Sequence, residues 1–92
     1  MKLYELGTGE PVQVLVKVEN ASAEYDSTVA FGKEGILLIE PIRYDGKIIN
    51  FSGDKVHISV IYMEDGIKPL IWEECRIQTV QAGKEKYHAI VC

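Results

Sequence analysis

His57, Cys75, His88 and Cys92 are the residues of this chain whose types could bind a soft metal ion or supply nucleophilic chemistry. A zinc site needs several such ligands to converge on one ion. If His88 and Cys92 share one face of an extended strand, four residues at ~3.3 Å each separate them by ~13 Å, too far to chelate one ion without a bend. The spacing therefore assigns them as ordinary strand residues, with no metal bound. Two cysteines are too few for a disulfide framework, and Cys75 and Cys92 are too distant in sequence for a CxxC pair, so reduced, structural thiols are expected. Catalysis by Cys75 or by a serine would need an oriented histidine beside it, and no motif supplies one.

The remaining polar groups lead to the same conclusion. Glu73 and Glu74 are neighbours, so on a strand they point to opposite faces and cannot act as a general acid and base pair. The segment GTGEP, residues 7 to 11, lacks the spacing of a phosphate loop and precedes a strand pattern where such loops need a helix, so it reads as a turn. Arg43, Tyr44 and Lys47 flank an Asp45–Gly46 turn and could form an anion-binding or interface corner. Trp72, with Leu70, could add an apolar patch. Arg43, Tyr44, Lys47 and Trp72 are thus the interface candidates; no catalytic residue, metal ligand or cofactor is expected.

The elements that would carry these residues are strands. Val12, Val14, Val16 and Val18 follow the period of two of a half-buried strand. Tyr25 to Phe31 form a second, with Tyr25, Ser27, Val29 and Phe31 on one face. After a Gly32 to Gly35 turn, Ile36 to Glu40 is apolar on both faces, as an interior strand requires, and Pro41 ends it because proline cannot donate to a ladder. Tight turns are expected at Tyr44 to Lys47 and at Ser52 to Asp54, with Ile48, Ile49 and Phe51 between them. Val56, Ile58, Val60 and Tyr62 alternate, Glu64–Asp65–Gly66 turns the chain into a long segment from Ile67 to Val80, and a polar turn at residues 81 to 85 leads to a last strand, Tyr87 to Cys92. No stretch has helical periodicity. The fold class expected is all-β: a small antiparallel split β-barrel of six to seven strands, one domain over residues 1 to 92.

Composition narrows function by exclusion. The 92 residues are 47% hydrophobic and 26% charged, the balance of a folded domain with a small core. The longest aliphatic run, Ile36 to Ile39, is far short of the ~20 residues of a membrane span. The N-terminus has no apolar signal region, and a cytoplasmic location is expected. Ten Lys and Arg against fourteen Asp and Glu give a net charge of −4 with the basic residues scattered, which disfavours nucleic acid as a partner.

The order of these features resembles the flagellar-brake-type N-terminal domain (PilZN) that precedes a PilZ domain in bacterial cyclic di-GMP receptors. The resemblance rests on Gly9 and the Val12–Val14–Val16 strand, on Tyr25–Asp26–Ser27–Thr28–Val29, and on the aliphatic run Ile36 to Pro41. Gly46 in its turn and Ser52–Gly53–Asp54–Lys55–Val56–His57–Ile58 complete it. It covers the chain from Gly9 to about Val80 and implies a non-enzymatic, split-barrel regulatory domain. Such a domain relays cyclic di-GMP binding by an adjoining PilZ domain to a partner such as the flagellar motor. The arginine-rich RxxxR entry and the D/N-x-S-x-x-G element of a PilZ domain do not occur here: the only arginines are Arg43 and Arg76. The strand pattern ending at Cys92 is where the adjoining domain is expected to begin. A free-standing barrel that binds an oligosaccharide or single-stranded nucleic acid is the alternative, and an exposed barrel edge would leave pairing into a homodimer open.

Overall fold

A computed structural model describes residues 3–7, 12–19, 23–61 and 70–92. Among them, eight strands follow a short 3₁₀ turn, Leu3–Gly7: β1 (Gln13–Val18), β2 (Glu24–Lys33), β3 (Ile36–Ile39), β4 (Arg43–Tyr44), β5 (Lys47–Ile48), β6 (Ser52–Val60), β7 (Ile71–Ala82) and β8 (Glu85–Val91). Six of them close into an antiparallel barrel in the order β1-β2-β3-β8-β7-β6, and β4 and β5 form a separate hairpin. The expected all-β barrel is therefore present, and its closure removes the free edges that an open sheet of this size would expose. No helix among the described residues is long and apolar enough to cross a membrane.

Alternation builds the core. Val14 and Val16 of β1, Leu37 and Ile39 of β3, Val56, Ile58 and Val60 of β6, Cys75 and Ile77 of β7, and Ile90 of β8 are all buried in one cluster. These are the inward positions of period-two strands. Fully burying each such aliphatic side chain contributes roughly 1.5 to 3 kcal/mol. The 3₁₀ turn, which the periodicity did not disclose, adds Leu3 and Leu6 to that cluster.

Of the glycine-bearing sites that shape the strands, two act otherwise than their sequence suggests. Asp45 and Gly46 both have positive φ, 54° and 78°, the two-residue turn that Asp-Gly favours, and they close the β4–β5 hairpin as expected. Gly53 has φ 76°, but residues 52 to 54 do not turn the chain. They make a bulge inside β6, where Ser52 pairs with Gln78 and Asp54 with Ile77. The Asp54 carboxylate accepts from the Ser52 amide at 3.2 Å and Arg76 Nη1 donates to the Gly53 carbonyl at 3.2 Å, so the turn chemistry is satisfied without leaving the strand. Gly83, φ 66°, opens a two-residue loop between Ala82 and Glu85, shorter than the five-residue turn expected.

Two further bulges overturn face assignments. The register of β2 on β3 slips between Val29 and Phe31, which leaves Val29 buried and sends Phe31 outward to 53% exposure. One extra residue inverts every later side chain of a strand. In the second, Val56 pairs with Cys75 and Ile58 with Trp72, so β7 has one residue more than β6 over that span. Glu74 takes φ 60°, and Glu73 and Glu74 are both exposed instead of pointing to opposite faces. The turns expected around Gly7 to Pro11 and at Glu64–Asp65–Gly66, with Tyr62 and the start of the segment from Ile67, lie largely outside the described residues.

The chain order makes a Greek key: β1, β2 and β3 are consecutive neighbours, and β6 then lies beside β1. In the ring of six, β3 and β6 stand three places apart, diametrically opposite. The connection between them, residues 40 to 51, therefore has to cross one end of the barrel.

Candidate functional site

Residues 40 to 51 close that end as a strap, with Ile42 and Phe51 buried beneath it. Its entry is fixed by the Ser27 hydroxyl donating to the Glu40 carbonyl at 2.7 Å and by the Glu40 amide donating to the Thr28 carbonyl at 2.9 Å. Within it, the Ile49 amide donates to the Ile42 carbonyl at 2.9 Å and completes the β4–β5 hairpin. Phe51 stacks edge-on against Tyr25 and against the His88 ring, with centroids at 6.1 and 4.9 Å.

The strap is latched from below by a facing pair on β7 and β8, Thr79 and His88. His88 is fully buried, and its Nε2 accepts the Ile42 amide at 2.9 Å. Thr79 Oγ1 accepts the Phe51 amide at 2.9 Å, donates its single proton to the Ile49 carbonyl at 3.1 Å, and lies 3.0 Å from His88 Nδ1. Those donor and acceptor counts admit one arrangement: a neutral imidazole whose Nδ1–H donates to Thr79 and whose Nε2 keeps its lone pair for Ile42. Burial lowers the His88 pKa below its ordinary value of 6.5. No buried side-chain nitrogen or oxygen among the described residues lacks a partner.

On this latched base the hairpin presents Arg43, Tyr44 and Lys47 to solvent, all exposed, with Tyr44 at 73%. The backbone brings these three interface candidates together, because Tyr44 pairs with Lys47 across the turn and Arg43 with Ile48. Trp72 does not join them. It is half-buried at the opposite end of the barrel, packed with Leu70 against the core, where it lines a groove of about 550 Å³ with Leu3, Tyr4, Ile90 and Cys92.

Among the described residues no group of three or more His, Cys, Asp or Glu is placed to hold an ion. Cys75 and Cys92 form a disulfide, which corrects the expectation of two reduced thiols. The pairing follows from register. Ala82 faces Glu85 and Arg76 faces Val91, so continuing the ladder by one step sets Cys75 opposite Cys92, with Cα atoms 4.1 Å apart. A separation of 17 residues in sequence is no barrier when a hairpin folds it back.

The basic residues, scattered in sequence, are partly regrouped: Lys55, His57 and Arg76 border one depression on the outer wall of β6 and β7. Glu19 and Glu74 border it too, so the sign of the charge is mixed. Comparison with protein-family models, with curated protein sequences and with solved structures gave no match to this chain.

Proposed function

We propose that this barrel is a regulatory interaction domain of the flagellar-brake type: a cytoplasmic, non-enzymatic module that relays cyclic di-GMP binding by an adjoining PilZ domain to a protein partner. The observation that carries the reading is the strap. A closed barrel end supports an exposed Arg-Tyr-Lys hairpin whose base is hydrogen-bonded to the half-buried Thr79 of β7 and the buried His88 of β8. Such a display suits recognition, since the backbone beneath the aromatic and the two cations is already ordered before a partner arrives. The order of strand and turn features in the sequence supports the same family reading.

The test is a titration of cyclic di-GMP into this chain and into the chain joined to a PilZ domain, each with and without the Arg43→Glu/Lys47→Glu pair. Expected is no binding by this chain alone, binding by the joined form, and weakened coupling to the neighbouring domain or partner in the double variant with the barrel still folded. Tight binding by the 92 residues alone, or coupling untouched by the double variant, overturns the reading.

A further inference from the structure

The disulfide is lopsided. Cys75 is fully buried, at 0% exposure, whereas Cys92 is exposed and forms part of the wall of the groove at the 3₁₀ end. That groove, about 550 Å³, is lined by Leu3, Tyr4, Glu34, Gly35, Trp72, Ile90 and Cys92 and is open to solvent on one side. Its size suits a ligand of a few hundred daltons, and its walls pair apolar and aromatic surface with a single carboxylate. Exposure therefore favours approach of a thiol to the Cys92 end of the bond.

We propose that Cys92 is a thiol-exchange site for small-molecule thiols of the glutathione class. The thiolate attacks Cys92 Sγ, the Cys75–Cys92 bond breaks, and the electron pair leaves with Cys75 Sγ, which takes up a proton; Cys92 then carries a mixed disulfide. A second thiol attacking the outer sulfur releases the oxidised small molecule and leaves two protein thiols, so atoms and electrons balance. The facing register holds Cys75 opposite Cys92 in the folded chain. That makes Cys75 the resolving thiol, poised to reform the bond when the small molecule is removed. Trp72 lines the same groove, so the indole reports the change.

In the test, oxidised protein is reduced with excess glutathione under folding conditions, pulsed with iodoacetamide and mapped by peptide mass. In the fully reduced, folded protein labelling at Cys92 is expected to exceed that at Cys75 by roughly tenfold or more, following exposure. The mixed disulfide, trapped by acid at limiting glutathione and alkylated after unfolding, is expected to carry glutathione on Cys92 and the label on Cys75. In parallel, Cys75→Ala treated with glutathione disulfide is expected to gain one glutathione moiety at Cys92 while remaining folded by circular dichroism, and Cys92→Ala to gain none until urea unfolds it. Trp72 emission is expected to change with the same midpoint as reduction. Comparable labelling of both cysteines, an adduct on Cys75 in the folded protein, or a bond that glutathione reduces only in urea overturns the proposal.

Discussion

Replacing Thr79 with valine leaves the side-chain outline nearly unchanged and removes one oxygen, yet that oxygen serves three partners under the strap: the Phe51 amide, the Ile49 carbonyl and His88 Nδ1. Each buried group stripped of its partner costs about 1 to 3 kcal/mol. Thr79 is only half-buried, so water can reach part of the network and the low end applies. Three groups at about 1 kcal/mol each give a loss of about 3 kcal/mol. Against the 5 to 15 kcal/mol of a typical domain that is a large fraction, and for a chain of this size it lowers Tm by roughly 12 to 24 °C. Thr79→Ser keeps the oxygen and loses a methyl, for about 1 kcal/mol or less. Urea denaturation followed by Trp72 emission and by far-ultraviolet circular dichroism measures both. If Thr79→Val and Thr79→Ser fall within about 0.5 kcal/mol of each other, the latch does not hold the strap and the hydrogen-bond reasoning fails.

Three other outcomes follow from the same geometry. The unfolded chain binds a proton on His88 at the ordinary value of 6.5, whereas the folded chain resists it, so the stability linked to this residue is full above that pH. It declines as pH falls from there toward the lowered folded value, with a slope of at most about 1.4 kcal/mol per pH unit; denaturation midpoints across pH 5 to 8 should show this slope in the wild type and lose it in His88→Gln. Phe51→Ala should cost about 3 to 5 kcal/mol, whereas Phe31→Ser, outward of its bulge, should stay within about 0.5 kcal/mol, and equal costs would mean that the β2 register is wrong. Reducing the disulfide should lower stability by about 3 kcal/mol, the loop-closure figure for a separation near 15 residues, as read by urea titration with and without reductant.

The sequence carried the barrel legibly because period-two alternation and glycine-bearing turns are local signals. Val14, Val16, Val56 and Ile58 fell on the core face as their alternation requires, and Asp45–Gly46 turned where its chemistry points. Bulges are what alternation cannot foresee. Phe31 and the Glu73–Glu74 pair were misassigned because one inserted residue reverses a face without changing composition. The latch and the disulfide had a readable signal that depended on one loop length. Taking Gly83–Lys84 as a two-residue loop, and counting back along both strands, sets Thr79 opposite His88 and Cys75 opposite Cys92. A five-residue turn hides both pairs. The grouping of Arg43, Tyr44 and Lys47 was local and therefore visible, whereas Trp72, brought to the other end by the long-range fold, could not be separated from them by sequence alone.

The diametric placement of β3 and β6 also governs how the chain finds its fold. The hairpins β2–β3 and β7–β8 join neighbours in sequence, but β1 on β6 and β3 on β8 unite strands some forty to fifty residues apart, as in the pairs Val16 with Ile58 and Leu37 with Ile90. Such distant pairings give no reward until their loops have closed, which places this barrel with the topologies that fold in milliseconds to seconds. Barrel closure and strap docking then become one late event, since β6 reaches β1 only when residues 40 to 51 have crossed the end of the barrel. Substitutions that remove contacts to the strap, Thr79 and His88 included, are accordingly expected to register chiefly in how fast the protein comes apart, and those elsewhere in local hairpins such as β2–β3 in how fast it assembles.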